Sequence, residues 1–304
     1  MSKKNSSRPS PDSRLPTRSS RHSRLPSPVS RRGTHGAGPD PRLGGGAAAA
    51  DWSHVADWYD ELIGEQGSSH QQKTIIPGVL RVLDLKPGQK VLDIACGQGV
   101  LCRALAQKGI STVGIDLAGT LIDAARQRQT NPTLEQYHVA DARKLQTYQF
   151  ISPGSFDAAV CILAIQNMTP LSPIWQGVRH ALKPSGSLVI VMMHPCFRIP
   201  QKSSWQWDNV SQSQYRRIDS YLSSEKIPIA MHPGSNPDQT TLTFHRPLQA
   251  YINTLGSAGL WIDHVEEWIS HKQPPEGKKF AALEKTRREI PLFLALRTKT
   301  TTPR

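Results

Sequence analysis

Apolar positions after residue 50 change their period several times, and each change predicts an element. Trp52, Val55, Trp58, Tyr59 and Leu62 recur at three- and four-residue spacing, which predicts an amphipathic helix. Ile75, Ile76, Val79, Leu80 and Leu83 predict another within 71–85, with Pro77 marking where regular helix begins. Short apolar runs then alternate with helical stretches. Strands are predicted at Val91–Ala95, Thr112–Ile115, Leu134–Val139, Ala158–Leu163 and Ser187–Met193. Helices fall between them: Val100–Lys108, closed by Gly109; one with Leu117, Leu121, Ile122 and Ala125 on its face; and one opened by Ser172-Pro173. Leu248, Tyr251, Ile252 and Leu255 form a further helical face before two last strands, Leu260–Val265 and Pro291–Leu296. Strands of this length alternating with helices predict an α/β fold with a doubly wound parallel sheet.

One block breaks the alternation. Residues 195–247 hold six prolines, Trp205 and Trp207, and mixed charges without a clean period. An insertion after the fifth strand lies over the carboxyl edge of the sheet, where open α/β sheets bind ligands. It is read as a substrate lid.

Charge divides the chain differently. The whole carries 37 Lys+Arg against 24 Asp+Glu, a net of +13. Residues 1–50 hold ten of the basic residues and two acids, no aromatic, ten Ser and seven Pro. Such a stretch cannot bury enough apolar surface to offset its ordering entropy, so a disordered basic tail is expected. The body, residues 51–304, is left with +5, which excludes a uniformly basic nucleic-acid binder. The tail has no apolar core of a secretory signal. Its prolines argue against an organelle transit peptide, which stays the minor alternative to a cytoplasmic location. No apolar run reaches membrane-spanning length; the longest is Ala158–Ile165. Cys96, Cys102, Cys161 and Cys196 fit neither a zinc site nor a disulfide framework, so no metal is expected.

The most informative segment is Val91-Leu92-Asp93-Ile94-Ala95-Cys96-Gly97-Gln98-Gly99, a strand entering a glycine pair and then a helix. The dinucleotide fingerprint wants a third glycine where Cys102 stands. Asp93, near the end of the strand, would repel a pyrophosphate and suit an ammonium or sulfonium. Asp116 ends the next strand, 19 residues after Gly97, the spacing at which an acid holds ribose hydroxyls. A cationic ligand with a ribose and no phosphate points to S-adenosyl-L-methionine.

With these residues the chain resembles the class I S-adenosylmethionine-dependent methyltransferases. Val91–Gly99 matches their first motif, Val113–Leu117 their acidic second strand end, Val139–Ala142 the third, and Phe156–Val160 the fourth-strand motif. Leu182–Gly186 matches the turn before the fifth strand. His194-Pro195-Cys196-Phe197-Arg198 and the Trp205 region resemble a bacterial subgroup acting on small molecules. The resemblance implies a Rossmann-like seven-stranded sheet with an antiparallel last strand. It implies that Asp93 faces the methionine amino group and that Ala95, Gly97 and Gly99 let the backbone wrap the ligand. Asp116 would hold the ribose with Leu117 beside the adenine, and Asp141 with Ala142 would hold the adenine edge. Cys161 and Leu163 would line the methyl-donor side, and Tyr59 would close over the carboxylate.

The acceptor side is less marked. His194, at the carboxyl end of the fifth strand, is the leading candidate for a general base or acceptor contact. Gln166, Asn167, Trp205, Arg217 and His232 are candidates for acceptor binding. The expected activity is methyl transfer to a small-molecule oxygen, nitrogen or carbon nucleophile. The alternatives are an RNA or protein methyltransferase guided by the basic tail, and a non-catalytic cofactor-binding module.

Overall fold

Five short apolar runs build the parallel part of the sheet: β1 (Lys90–Ile94), β2 (Ser111–Asp116), β3 (Glu135–Val139), β4 (Phe156–Ile162) and β5 (Leu182–Met193). The computed structural model describes residues 64, 66–232 and 236–300, with backbone alone over 230–240. The basic segment 1–50 and the helix expected at Trp52–Leu62, with Tyr59, lie outside these residues. Seven strands form the main sheet in the order β10-β11-β5-β4-β1-β2-β3, where β10 is Leu260–Trp268 and β11 is Phe293–Thr300. The last strand, β11, runs antiparallel to both neighbours, as the resemblance implies. Helices α1 (Ile76–Leu83), α2 (Val100–Ala106), α3 (Gly119–Gln127), α4 (Ser172–Ala181) and α5 (Leu248–Ser257) complete the winding. A π-helical turn, Gln71–Ile75, leads into α1, with Pro77 in its first turn where the missing N–H costs nothing.

The sheet separates two apolar cores, and strand alternation assigns residues to each. Leu92 and Ile94 of β1 and Cys161 of β4 face the side packed by Trp175, Val178 and Tyr251. Val91, Val160 and Val191 face the other side, against Val79 of α1 and Leu105 of α2. Asp93 shares its face with Val91, so its carboxylate points toward α2. Each fully buried aliphatic side chain here contributes roughly 1.5–3 kcal/mol.

The aperiodic block resolves into two hairpins between β5 and α5. The first pairs β6 (Ser203–Asp208) with β7 (Ser213–Ile218); the second pairs β8 (Glu225–His232) with β9 (Asn236–His245). The pattern along the chain also leaves α6 (Phe280–Glu289) unpredicted. Thr286 is the one buried residue of this helix, and its hydroxyl donates to Gln214 O of β7. With so little apolar surface, α6 depends on docking against the hairpin rather than on its own periodicity.

Candidate active site

The strand order reverses at β1, which has β2 on one side and β4 on the other. Loops leaving the two strands there go opposite ways and open a crevice at their carboxyl ends. A cavity of about 620 Å³ lies at this point, within the usual range for small-molecule sites. Its lining follows the sheet edge: Asp141 after β3, Asp116 at the end of β2, Asp93 and Ala95 by β1, Ile162 and Leu163 by β4, Met193 at the end of β5. At about 4.8 Å per strand, β3 to β5 spans roughly 19 Å. The insertion closes it with Arg198, Pro200, Ile229 and Thr243.

Asp93 is 2% exposed, and its carboxylate meets only the Cys102 thiol, Sγ to Oδ2 3.4 Å, among the described residues. Burial pushes it up to about 7, and the neighbouring Asp116 charge adds to that. A buried carboxylate at the cavity with no cationic partner is a site that a ligand cation would complete. Asp116 is also raised by burial, but its oxygens accept from Gly97 N at 3.0 Å and Ala118 N at 2.9 Å. It thereby ties the glycine loop to the end of β2. Ala95 has φ +56°, a costly conformation for a residue with a Cβ, so the loop stores strain at the cavity wall.

Asp141 lines the cavity with Ala142, yet its charge is already engaged. Arg143 holds it bidentately, Nε to Oδ1 2.9 Å and Nη2 to Oδ2 2.7 Å, and this pair keeps the carboxyl below its ordinary value. Leu117, 44% exposed, lies at the same end. Leu163 turns out of β4 with φ +53°.

Several expected residues stand elsewhere. Gly99 is not in the lining. It caps α2 with φ +82°, and a Cβ there would come within 2.5 Å of the Tyr137 hydroxyl, so glycine serves packing. Cys161 is buried in the opposite core, because one step along a strand reverses the face. His194 is 3% exposed and outside the lining. Its Nδ1 accepts from Cys196 N at 3.2 Å, which leaves the proton on Nε2, 2.6 Å from Glu267 Oε1. With both ring nitrogens engaged, it has no free lone pair for a substrate. Burial also lowers its basicity. Trp205 packs under two guanidiniums, with Arg198 and Arg216 centred 5.0 and 5.1 Å from its ring. Arg217 is exposed and paired with Asp219 at 2.5 Å. His232 ends β8, paired with Asn236 across the hairpin. Gln166 and Asn167 do line the cavity, and Gln166 Oε1 accepts from Met193 N at 3.0 Å.

Sequence reasoning missed Arg198, Thr243 and Ile229 as lining residues. Arg198 lies in the quoted His194–Arg198 motif, and its N–H donates to His194 O at 2.8 Å, a turn that four-residue spacing allows. Nothing in the pattern of 225–245 marks Ile229 or Thr243.

Residues 92–190 match the family model described as "Methyltransferase domain". A solved S-adenosylmethionine-dependent methyltransferase from Mesorhizobium loti is 26% identical, with a TM-score of 0.58, covering 73% of this chain and 96% of its own. Residues 92–190 are thus a methyltransferase domain, in a chain with the fold of the S-adenosylmethionine-dependent methyltransferases. A ubiquinone biosynthesis O-methyltransferase from Xanthomonas campestris is 34% identical to this chain over 105 residues, 34% of this chain and 43% of that one. The match thus spans under half the length of that relative. A demethylmenaquinone methyltransferase from Paenarthrobacter aurescens is 27% identical over 227 residues, 73% of this chain and 76% of that one. The family's cofactor fits the donor set of this methyltransferase: a buried carboxylate without a cation, an Asp at the end of β2, and no third glycine for a pyrophosphate. No group of three or more His, Cys, Asp or Glu able to hold a metal occurs among the described residues.

Proposed function

We propose that the protein is an S-adenosylmethionine-dependent methyltransferase acting on a small-molecule oxygen, nitrogen or carbon nucleophile. The observation that carries this reading is the unpaired, buried Asp93 carboxylate at the crevice between β1 and β4. Bound there, S-adenosylmethionine supplies a methyl group already activated on a sulfonium. Asp93 would neutralise cationic charge, and the backbone at Ala95 and Gly97 would approach the ligand closely. Asp116 and Leu117 would hold the ribose and flank the adenine, with Ala142 and Asp141 at the adenine edge. Ile162, Leu163 and Met193 would keep water from the reacting centre. The insertion 195–247 would act as the lid, through Pro200, Ile229 and Thr243, and Gln166 and Asn167 would face the acceptor.

No histidine lines the cavity among the described residues, so positioning rather than a histidine base carries the rate. The acceptor then enters as a free amine or as an acidic hydroxyl or carbon already ionised near neutrality. No helix among the described residues is long and apolar enough to cross a membrane; a cytoplasmic location is part of this proposal. The test is calorimetry with S-adenosylmethionine, followed by transfer of labelled methyl to a small-molecule extract. Binding and label in the small-molecule fraction are expected. Label only in RNA or protein would overturn the acceptor class, and no binding would overturn the cofactor.

A further inference from the structure

Two guanidiniums line the cavity, Arg143 and Arg198, and they differ in what already occupies them. Arg143 is clamped on Asp141 by three contacts of 2.7–3.1 Å. Arg198 donates its Nε to Pro291 O at 3.3 Å and meets no carboxylate among the described residues. Its two Nη groups make no hydrogen bond among the described residues, and neither is sealed from solvent. They are therefore accessible to solvent, on a residue that lines the cavity. Burial, then the nearby Arg216, lowers Arg198 to about 10, and no acid raises it. Arg216 is itself without an acid partner among the described residues. Its Nε donates to Phe197 O at 2.7 Å and its Nη2 to Ser203 Oγ at 2.6 Å. Both cations rest on the Trp205 ring.

A half-buried guanidinium beside a second one, with no counter-ion, is costly to hold in place. The Trp205 face recovers part of that cost. The arrangement also keeps the Arg198 fork flat and pre-oriented, the geometry that grips a carboxylate or phosphate bidentately. Along the sheet edge the charge reverses: acids stand at β3, β2 and β1, apolar side chains at β4 and β5, and this cation beyond β5. We infer that the methyl acceptor carries an anionic group, a carboxylate or phosphate, held by Arg198 with Arg216 and Trp205 behind it. This rests on the acceptor site proposed above.

The full chain is titrated calorimetrically with benzoate, phenyl phosphate and benzamide, with and without S-adenosylhomocysteine. At least one anion binds about tenfold or more tighter than benzamide, the worth of a charge-assisted hydrogen bond. Arg198→Gln loses that preference, Arg198→Lys keeps part of it, and Arg216→Gln weakens it less than Arg198→Gln does. S-adenosylhomocysteine affinity stays within about twofold in all three variants, which also shows that they fold. Equal binding of anions and benzamide, or an anion preference that survives in Arg198→Gln, overturns the inference. Failure of S-adenosylhomocysteine to bind the parent protein instead strikes the proposed function, and the anion titrations still judge Arg198. Benzoate and phenyl phosphate separate the two kinds of anion.

Discussion

The two ends of the cavity are built in opposite ways. The acidic end belongs to the sheet: Asp93 and Asp116 are placed by β-register, and Asp141 stands just past the end of β3, capping the turn that follows. The basic end belongs to the insertion, which reaches the cavity through Arg198, in the turn between β5 and β6, and through Ile229 and Thr243 of a hairpin that pairs only within itself. The acidic end is suited to one ligand, because its strands leave little freedom to move a carboxylate. Arg198 of the basic end sits in a turn outside the strand ladders, where a side chain can change without disturbing the sheet. The difference teaches where the proposed function puts specificity: the cofactor would be bound by the scaffold, and the acceptor by what the scaffold carries.

The comparison breaks first at Asp93. Asp93→Asn is expected to weaken S-adenosylmethionine binding about a hundredfold or more, since truncating one partner of a buried charge pair costs about 3–5 kcal/mol. The same change should raise the melting temperature of the free protein at pH 8, because it removes a buried, uncompensated carboxylate. Calorimetry and thermal unfolding together check this. Loss of both affinity and stability would mean that Asp93 holds the fold instead.

Proton linkage sharpens the point. Asp93 is at about 7 when folded and near its ordinary 3.8 when unfolded, so the folded state keeps a proton between those values. Its contribution to stability is therefore greatest below about pH 4 and declines as the pH rises to 7. Affinity for a cation moves the other way, rising up to about tenfold per pH unit between pH 5 and 7 and levelling above. A flat affinity profile from calorimetry at several pH values would detach the cofactor from Asp93.

Smaller effects separate packing from chemistry. Gly99→Ala meets Tyr137 and a left-handed backbone, and should cost about 1–3 kcal/mol in urea unfolding. His194→Ala strips the Cys196 N–H and the Glu267 carboxylate of their partner, with a loss of about 1–3 kcal/mol. The pH–rate profile of methyl transfer should keep its shape in His194→Ala. A vanished limb would restore His194 to the chemistry.

Period and spacing carried much of this protein openly. Alternating runs announced β1 to β5, and the Asp93, Gly97 and Asp116 spacing singled out three residues that line the crevice. These features are local: a strand's alternation and a turn's glycine are satisfied within a few residues. Periodicity could not show that Gly99 answers to Tyr137, that Cys161 faces the far core, or that α6 exists at all. Nor could it tell His194 from Arg198, four residues apart in one turn. One is sealed by Cys196 and Glu267 and the other lines the cavity. Those outcomes depend on partners distant in the chain, Pro291 and Glu267 among them. Contacts at such separation form only when the sheet has closed, so folding, and no short stretch of residues, decides which side chain meets the substrate.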